Sequence, residues 1–183
     1  MTIEINLELT DLDLAHFKTL MDQAIDKNSS LSEQEILDRA QSVVDEMEKS
    51  NLPEFVKTRM NSLSSLIAAV QDEEWQMPEE EKKDIMTSLV YFSEPHDLVP
   101  DEIPVLGYLD DAIMIELVIQ DMSLDLKSYR QFCSFRSTEE ARRGDAAKVD
   151  RDSWLSGTRS EIRSSMRKAR KTSTKKRFFS RIM

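Results

Sequence analysis

Cysteine, histidine and glycine are scarce in this 183-residue chain, and each shortage excludes a class of protein. A single cysteine, Cys133, cannot form an internal disulfide or a cysteine-based structural zinc site, which needs several thiolates. With only His16 and His96, histidine triads and multi-histidine metal sites are not expected. Three glycines and five prolines are too few for a multi-stranded sheet with tight turns, and no glycine-rich phosphate loop is present.

Long apolar runs are also missing. The most apolar stretch, residues 109–122, is interrupted by four acids, whereas a membrane-spanning helix needs about 20 mostly apolar residues. Residues 1–9 contain two acids and no basic residue, which is unlike a signal peptide. The length and the single cysteine therefore predict a cytoplasmic protein with one domain, or one domain with extended ends.

The spacing of apolar residues predicts a chain made almost entirely of helices. Residues 3–9 alternate apolar and polar side chains as a strand does, and no second strand is evident. Capping boxes at Thr10, Ser32 and Ser137 mark three helix starts, because each is followed three residues later by an acid. The prediction is an all-α bundle of about six helices, over about residues 10–26, 32–49, 53–72, 78–94, 109–135 and 152–170, with a short helix from Ser137 that ends at Gly144.

Positive and negative charges are separated along the chain. Residues 1–126 contain 8 Lys and Arg against 29 Asp and Glu, a net charge of −21, whereas residues 127–183 contain 17 against 6, a net charge of +11. The overall net charge of −10 therefore hides a strongly dipolar molecule. This division suggests an acidic helical domain over residues 1–136 and a basic, helical and partly disordered extension over residues 137–183.

Residues 94–111 form a proline-rich loop between two helices that both bury apolar faces. Three prolines fix φ and restrict the residue before each of them, so the loop is expected to be stiff. The pattern over about residues 85–125 resembles the YkvA-like family, a domain of unknown function numbered 1232. The resemblance is carried by Pro95, Asp97, Leu98, Pro100, Asp101, Ile103, Pro104, Leu106, Gly107, Leu109, Asp110, Asp111, Ala112 and Ile113.

This resemblance implies a fold element rather than a mechanism, because the family is mainly bacterial and has no established activity. Its members often carry transmembrane segments, and relatives of the domain occur in some membrane-bound ubiquitin ligases. The present chain departs from the pattern at His96 and Glu102, which stand where the family usually has apolar residues. These polar residues and the charged flanking sequence argue against membrane insertion of this chain.

Five carboxylates lie on this loop or just after it, at Asp97, Asp101, Asp110, Asp111 and Glu116. Oxygen ligands gathered by a rigid loop could hold Mg²⁺ or Ca²⁺, and metal-assisted hydrolysis would then be conceivable. Each acid also has a local structural role available. Aspartates before turns bond the backbone, and aspartates at a helix start cap its amides and meet the positive end of its dipole.

The C-terminal residues are strongly basic, with ten Lys and Arg and one acid between Arg159 and Met183. Basic residues beside aromatic ones suit an anionic membrane surface or a nucleic-acid backbone, and docking onto the acidic body or a solvated tail are the alternatives. The candidate anion-binding residues are Arg163, Arg167, Lys168, Arg170, Lys171, Lys175, Lys176, Arg177, Phe178 and Phe179.

The leading functional hypothesis is a non-enzymatic interaction or adaptor module, because no catalytic constellation accompanies the charge separation. Its partner would be another protein, a second copy of the chain, or an anionic surface such as the inner face of the membrane. The alternatives are a metal-dependent enzyme that uses the aspartate loop and a nucleic-acid-binding protein that uses the basic tail. No cofactor is required by the sequence.

Overall fold

The computed structural model describes residues 8–50, 52–93 and 109–172. These residues form seven α-helices and two short 3₁₀ segments, Val90–Ser93 and Gly144–Lys148, and contain no strand, which confirms the all-α prediction. The predicted strand-like segment lies almost wholly outside the described residues. The helices are α1 (Asp11–Lys27), α2 (Glu33–Lys49), α3 (Glu54–Gln71), α4 (Glu79–Leu89), α5 (Leu109–Asp121), α6 (Ser123–Arg143) and α7 (Arg151–Thr172).

The first two helices begin at the predicted capping boxes. At the start of α2, the backbone amide of Ser32 donates to Glu35 at 2.8 Å, and the amide of Glu35 donates to the Ser32 hydroxyl at 3.3 Å. Thr10 and Asp13 make the same reciprocal pair at the start of α1, at 2.8 and 3.4 Å. Both boxes satisfy amides that a helix terminus would otherwise leave without an acceptor.

The structure differs from the sequence prediction between residues 109 and 144. The single helix predicted over residues 109–135 is two helices, because the chain leaves the helical path at Met122 (φ −97°, ψ 17°). Met122 is buried in the core, while the helix that follows packs against α3 and α7. The predicted helix start at Ser137 is wrong, because α6 runs through this residue without a break. As predicted, Gly144 ends the helix, with a left-handed φ of +56°.

The apolar faces of α1 to α5 form a single main core. Its fully buried members include Met21, Leu63, Ile85, Met114 and Ile115, contributed by four different helices. The sequence of α5 is apolar on nearly all sides because the helix is buried on several of them, as its pattern predicts. Burial of apolar surface, which needs no particular partner, is the main source of stability in this part of the molecule.

A second, smaller cluster joins α7 to the rest of the chain. It consists of Ala69, Trp75, Tyr129, Phe132, Leu155 and Ile162. We call α6, α7, the α3–α4 loop (residues 72–76) and Glu81 of α4 the α7 layer. The domain boundary suggested at residue 136 falls within α6, and the two-domain division stays a prediction.

Candidate functional site

The α3–α4 loop is held in a fixed shape that directs its carbonyl groups toward α7. The carboxylate of Asp72 accepts the backbone amides of Glu74 at 2.9 Å and Trp75 at 3.2 Å, and it also accepts the Tyr129 hydroxyl at 3.0 Å. Gln76 has a left-handed φ of +48°, which is uncommon for a residue other than glycine. These contacts hold the loop independently of α7.

Arg163 of α7 is the most deeply engaged cation in this region. Its guanidinium donates to the carbonyls of Trp75 at 2.6 Å and Gln76 at 2.7 Å, and to the Glu81 carboxylate at 3.2 Å. Its Cζ atom lies 4.3 Å from the centre of the Trp75 ring, a cation–π contact. The planar five-donor group can bond these three acceptors in a fixed geometry while it stacks on the ring, which a lysine ammonium does not reproduce.

We call the described residues before α7 the body. Two further arginines of α7 bind it, one on either side of Arg163 in the sequence. Arg159 donates to the Glu74 carbonyl at 2.8 Å and to its own helix at Asp152. Arg170 pairs with the buried Asp125 at the start of α6, and it lies 3.9 Å from Glu81. The three arginines are one or two turns apart, so they form a single inner face directed at the body.

Burial opposes the charge on both members of the central ion pair. It raises the pKa of Glu81 above the ordinary value, against the opposing influence of Arg163 and Arg170. It lowers the pKa of Arg163, against the opposing influence of Glu81. Each charge therefore depends on the other to remain buried, and loss of either would leave an uncompensated ion.

The acidic residues of the α3–α4 loop also bind arginines outside the inner face. Arg136 of α6 lies 2.8 Å from Asp72 and 2.9 Å from Glu74. Arg151 at the start of α7 donates to Glu74 and also pairs with Glu140 of α6. The hydrogen bond from Arg151 lowers the pKa of Glu74. The loop is thus neutralised from two helices, and α7 is tied to it between Arg151 and Arg163.

Three other cations of α7 remain exposed. Arg167, Lys168 and Lys171 are exposed, and none of them makes an ion pair within the described part of the chain. We call these three residues the outer face of α7. The same helix therefore carries two classes of cation, one neutralised by the body and one directed into solvent.

The structure divides the predicted anion-binding residues between these two classes. Arg163 and Arg170 belong to the inner face, and the remaining three described members form the outer face. Arg163 is only 8% exposed, so its charge is directed at the body rather than at an external partner. The other predicted members, Lys175, Lys176, Arg177, Phe178 and Phe179, lie outside the described residues.

The predicted metal ligands are only partly described. Asp110 is buried and Asp111 half-buried in the first turn of α5, where acids complement the positive helix end. Glu116 lies 3.2 Å from Arg59 and accepts a hydrogen bond from Gln120 at 3.0 Å. Among the described residues, no group of three or more His, Cys, Asp or Glu could hold a metal ion. The remaining loop residues, Asp97, Asp101, Pro95, Pro100, Pro104 and Gly107, lie outside the described ranges, and the metal site stays a prediction.

Sequence reasoning did not identify the acceptors that hold α7. In the sequence, Glu81 is not distinguished from the two glutamates before it in the first turn of α4. Trp75 is not distinguished from an ordinary core aromatic. Their roles depend on contacts with residues more than 80 positions later in the chain. The only local signal is the density of acids at residues 72–74 and 79–81, which indicates a cationic neighbour without indicating which one.

Comparison with known protein families gives a match in a part of the chain that differs from the site described above. Residues 85–117 match the family model "Protein of unknown function (DUF1232)". The match confirms the predicted resemblance to that family. It covers the second half of α4, the first 3₁₀ segment and most of α5, so every residue of the outer face of α7 lies outside it. Neither a curated protein nor a solved structure matches the chain. No helix among the described residues is long and apolar enough to cross a membrane.

Proposed function

We propose that this protein is an interaction module that binds an anionic partner through the outer face of α7. The observation that carries the proposal is the division of cations on one helix. Arg163 and Arg170 are neutralised by the body, while Arg167, Lys168 and Lys171 are exposed and make no ion pair among the described residues. Docking of the inner face therefore presents the outer face as a cationic surface on a rigid support.

The net charge of −10 does not prevent this binding. At physiological ionic strength, electrostatic attraction and repulsion decay over about 8 Å, so an approaching anion responds mainly to the nearest charges. The three exposed cations lie within about two helical turns of one another, and the inner arginines behind them are paired. The local field is therefore positive although the whole molecule is negative.

The proposal is tested by elution from immobilised heparin, a generic polyanion, in a gradient of NaCl. The test variant reverses the outer face (Arg167→Glu, Lys168→Glu, Lys171→Glu). The matched control reverses three exposed lysines on α4, α6 and the second 3₁₀ segment (Lys83→Glu, Lys127→Glu, Lys148→Glu), which changes the net charge by the same amount. We expect the native chain and the control to elute at similar salt, and the test variant to elute earlier.

Equal elution of the test variant and the control would contradict the proposal, because it would show that binding follows net charge rather than the outer face of α7. Thermal unfolding of all three proteins shows whether the substitutions leave the fold intact. Should the charge reversal unfold α7, the neutral variant (Arg167→Gln, Lys168→Gln, Lys171→Gln) answers the same question with a smaller perturbation.

A further inference from the structure

We propose that the outer face of α7 docks on the acidic outer side of α2 in a second copy of the chain. This inference rests on the proposed function and names the anionic partner as the protein itself. Copies would associate head to tail, with each copy offering one cationic and one acidic surface. The observations that carry it are the charge, position and exposure of the two surfaces.

The exposed side of α2 is acidic over its whole length. Between residues 35 and 49 it exposes five acids, Glu35, Asp38, Asp45, Glu46 and Glu48, against two cations, a net charge of −3. We call these five acids the acidic face of α2. The three residues of the outer face of α7 carry a charge of +3, so the two surfaces are opposite in sign.

Two of these acids are held in place on the surface. The side-chain amide of Gln34 donates to Asp38 at 2.8 Å, and that of Gln41 donates to Asp45 at 2.7 Å. Asp38 and Asp45 are two turns apart on the same side of the helix, a separation of about 10 Å. Each carboxylate retains further acceptor capacity for a cation, since an ionised carboxylate can accept several hydrogen bonds.

The two faces of one copy do not meet each other. α4 contacts α2 through the Lys82–Glu33 ion pair and contacts α7 through Glu81 and Arg163. α4 therefore lies between α2 and α7, and no ion pair joins those two helices directly within the described residues. The cationic face must find its acidic complement in another molecule, and such a heterologous contact generates rings or open chains.

A second copy neutralises both surfaces, which an anionic membrane or a nucleic acid does not. An anionic membrane or a nucleic acid would occupy the outer face of α7 and leave the acidic face of α2 facing solvent or repelled by the same partner. Head-to-tail contact pairs the two surfaces in a fixed stoichiometry. Exposed ion pairs are individually weak, so the association is expected to be concentration-dependent and to be weakened by salt.

A charge-swap experiment tests the inference. The first variant reverses the outer face of α7 (Arg167→Glu, Lys168→Glu, Lys171→Glu). The second reverses part of the acidic face of α2 (Asp38→Lys, Asp45→Lys, Glu46→Lys). The average mass of each protein is measured by sedimentation velocity and light scattering at about 0.15 M NaCl. We expect the native chain to associate, and each variant alone to associate at least about tenfold more weakly.

Mixing the two variants should restore association, because the acidic face of one then meets the cationic face of the other. A single chain that carries all six substitutions should also associate, since both of its faces have exchanged sign. The matched control (Lys83→Glu, Lys127→Glu, Lys148→Glu) should associate like the native chain. Raising NaCl to about 0.5 M should weaken the native association by screening the pairs.

The inference is overturned if the native chain stays monomeric over the accessible concentration range, or if mixing the variants restores nothing. Binding of each variant to phosphatidylglycerol vesicles and to duplex DNA is also measured. The inference is overturned if only the α7 variant differs from the native chain in that binding, because the partner is then a membrane or a nucleic acid. In these cases the proposed function is retained if the α7 variant still elutes from heparin earlier than the matched control. Glutamine variants at the same six positions replace any reversed variant that fails to fold.

Discussion

The main core and the α7 layer bury side chains by different means. The main core is apolar and mostly aliphatic, with Leu63, Ile85 and Ile115 fully excluded from solvent. The α7 layer has one buried tryptophan at its centre and surrounds it with arginines and carboxylates. Aliphatic contacts tolerate many neighbours, whereas a buried ion requires a partner at a defined position.

This difference teaches that the ion pairs of α7 contribute more to its specific position than to its stability. Arg159 and Arg163 reach carbonyls that only the correctly folded α3–α4 loop supplies. Two buried charges and their hydrogen bonds can contribute little net stability, because desolvation offsets much of the attraction. They do fix the rotation of the helix, and that rotation determines which cations face outward.

The largest expected effect is from removal of the aromatic centre of the α7 layer. Trp75 is 1% exposed, and its ring lies 5.1 Å from that of Phe132 and 4.3 Å from the Arg163 guanidinium. Trp75→Ala should lower the free energy of unfolding in urea by about 3–5 kcal/mol. Hydrogen exchange should show loss of protection in α7 while the helices of the main core remain protected.

The half-buried Trp154 is the control for that substitution, because its ring contacts Arg143 and Arg151 near the surface. Trp154→Ala should cost about 1 kcal/mol or less. Equal losses from the two tryptophans would show that Trp75 is not the centre of the α7 layer. Equal loss of protection in α1 to α5 would show that the main core and the α7 layer unfold as one unit.

The second prediction concerns the buried ion pair. Arg163→Met leaves Glu81 buried with only the more distant Arg170 nearby, and it should cost about 3 kcal/mol, near the lower end of the range for breaking such pairs. The double substitution Glu81→Met, Arg163→Met removes both charges and should recover part of that loss. Urea unfolding of the native chain, both single variants and the double variant measures the coupling. Additive single effects would show that the pair does not act as a unit.

The third prediction concerns the N-terminal cap of α2, a helix of the main core. Ser32→Ala removes the hydroxyl that accepts the Glu35 amide, and it should lower the free energy of unfolding by about 1 kcal/mol. Ser32→Asp retains an acceptor at the cap and should remain close to the native stability. The measurement is again urea unfolding. A loss from Ser32→Ala as large as that from Arg163→Met would contradict the order of effects expected here.

The fourth prediction separates two carboxylates of the α7 layer by the sign of their pH dependence. Burial raises the pKa of Glu81 above its ordinary value of 4.5, so the folded state holds this proton more tightly than the unfolded state. As pH rises from about 4.5 through the raised pKa, the native chain should lose stability relative to Glu81→Gln. The free energy of unfolding of both proteins across this range gives the difference.

Glu74 should behave in the opposite way, because the hydrogen bond from Arg151 lowers its pKa below 4.5. Its contribution is present above the ordinary value and is lost as pH falls through the lowered pKa. Relative to Glu74→Gln, the native chain should therefore lose stability on acidification. Curves of the same sign for the two variants would show that burial and hydrogen bonding do not separate these carboxylates as described.

Features set by near neighbours were predictable from the sequence. The capping boxes at Thr10 and Ser32, the helices that follow them and the stop at Gly144 involve residues within four positions of each other. The resemblance over residues 85–117 was also visible in the spacing of prolines, aspartates and a glycine. Ser137 carries the same local pattern as Ser32, yet α6 passes through it. Phe132 and Arg136 are held against the α3–α4 loop, and they keep the backbone helical up to that point.

The sequence by itself determined an all-helical chain, its charge separation and the basic character of α7, because composition and the 3.6-residue period are local properties. Only the tertiary structure decided that Arg163 faces inward and Lys171 outward. The acceptors of Arg163 are Trp75, Gln76 and Glu81, which lie 88, 87 and 82 residues earlier in the chain. A cation is neutralised by whatever packing brings near it, and packing across such distances is not encoded in any local pattern.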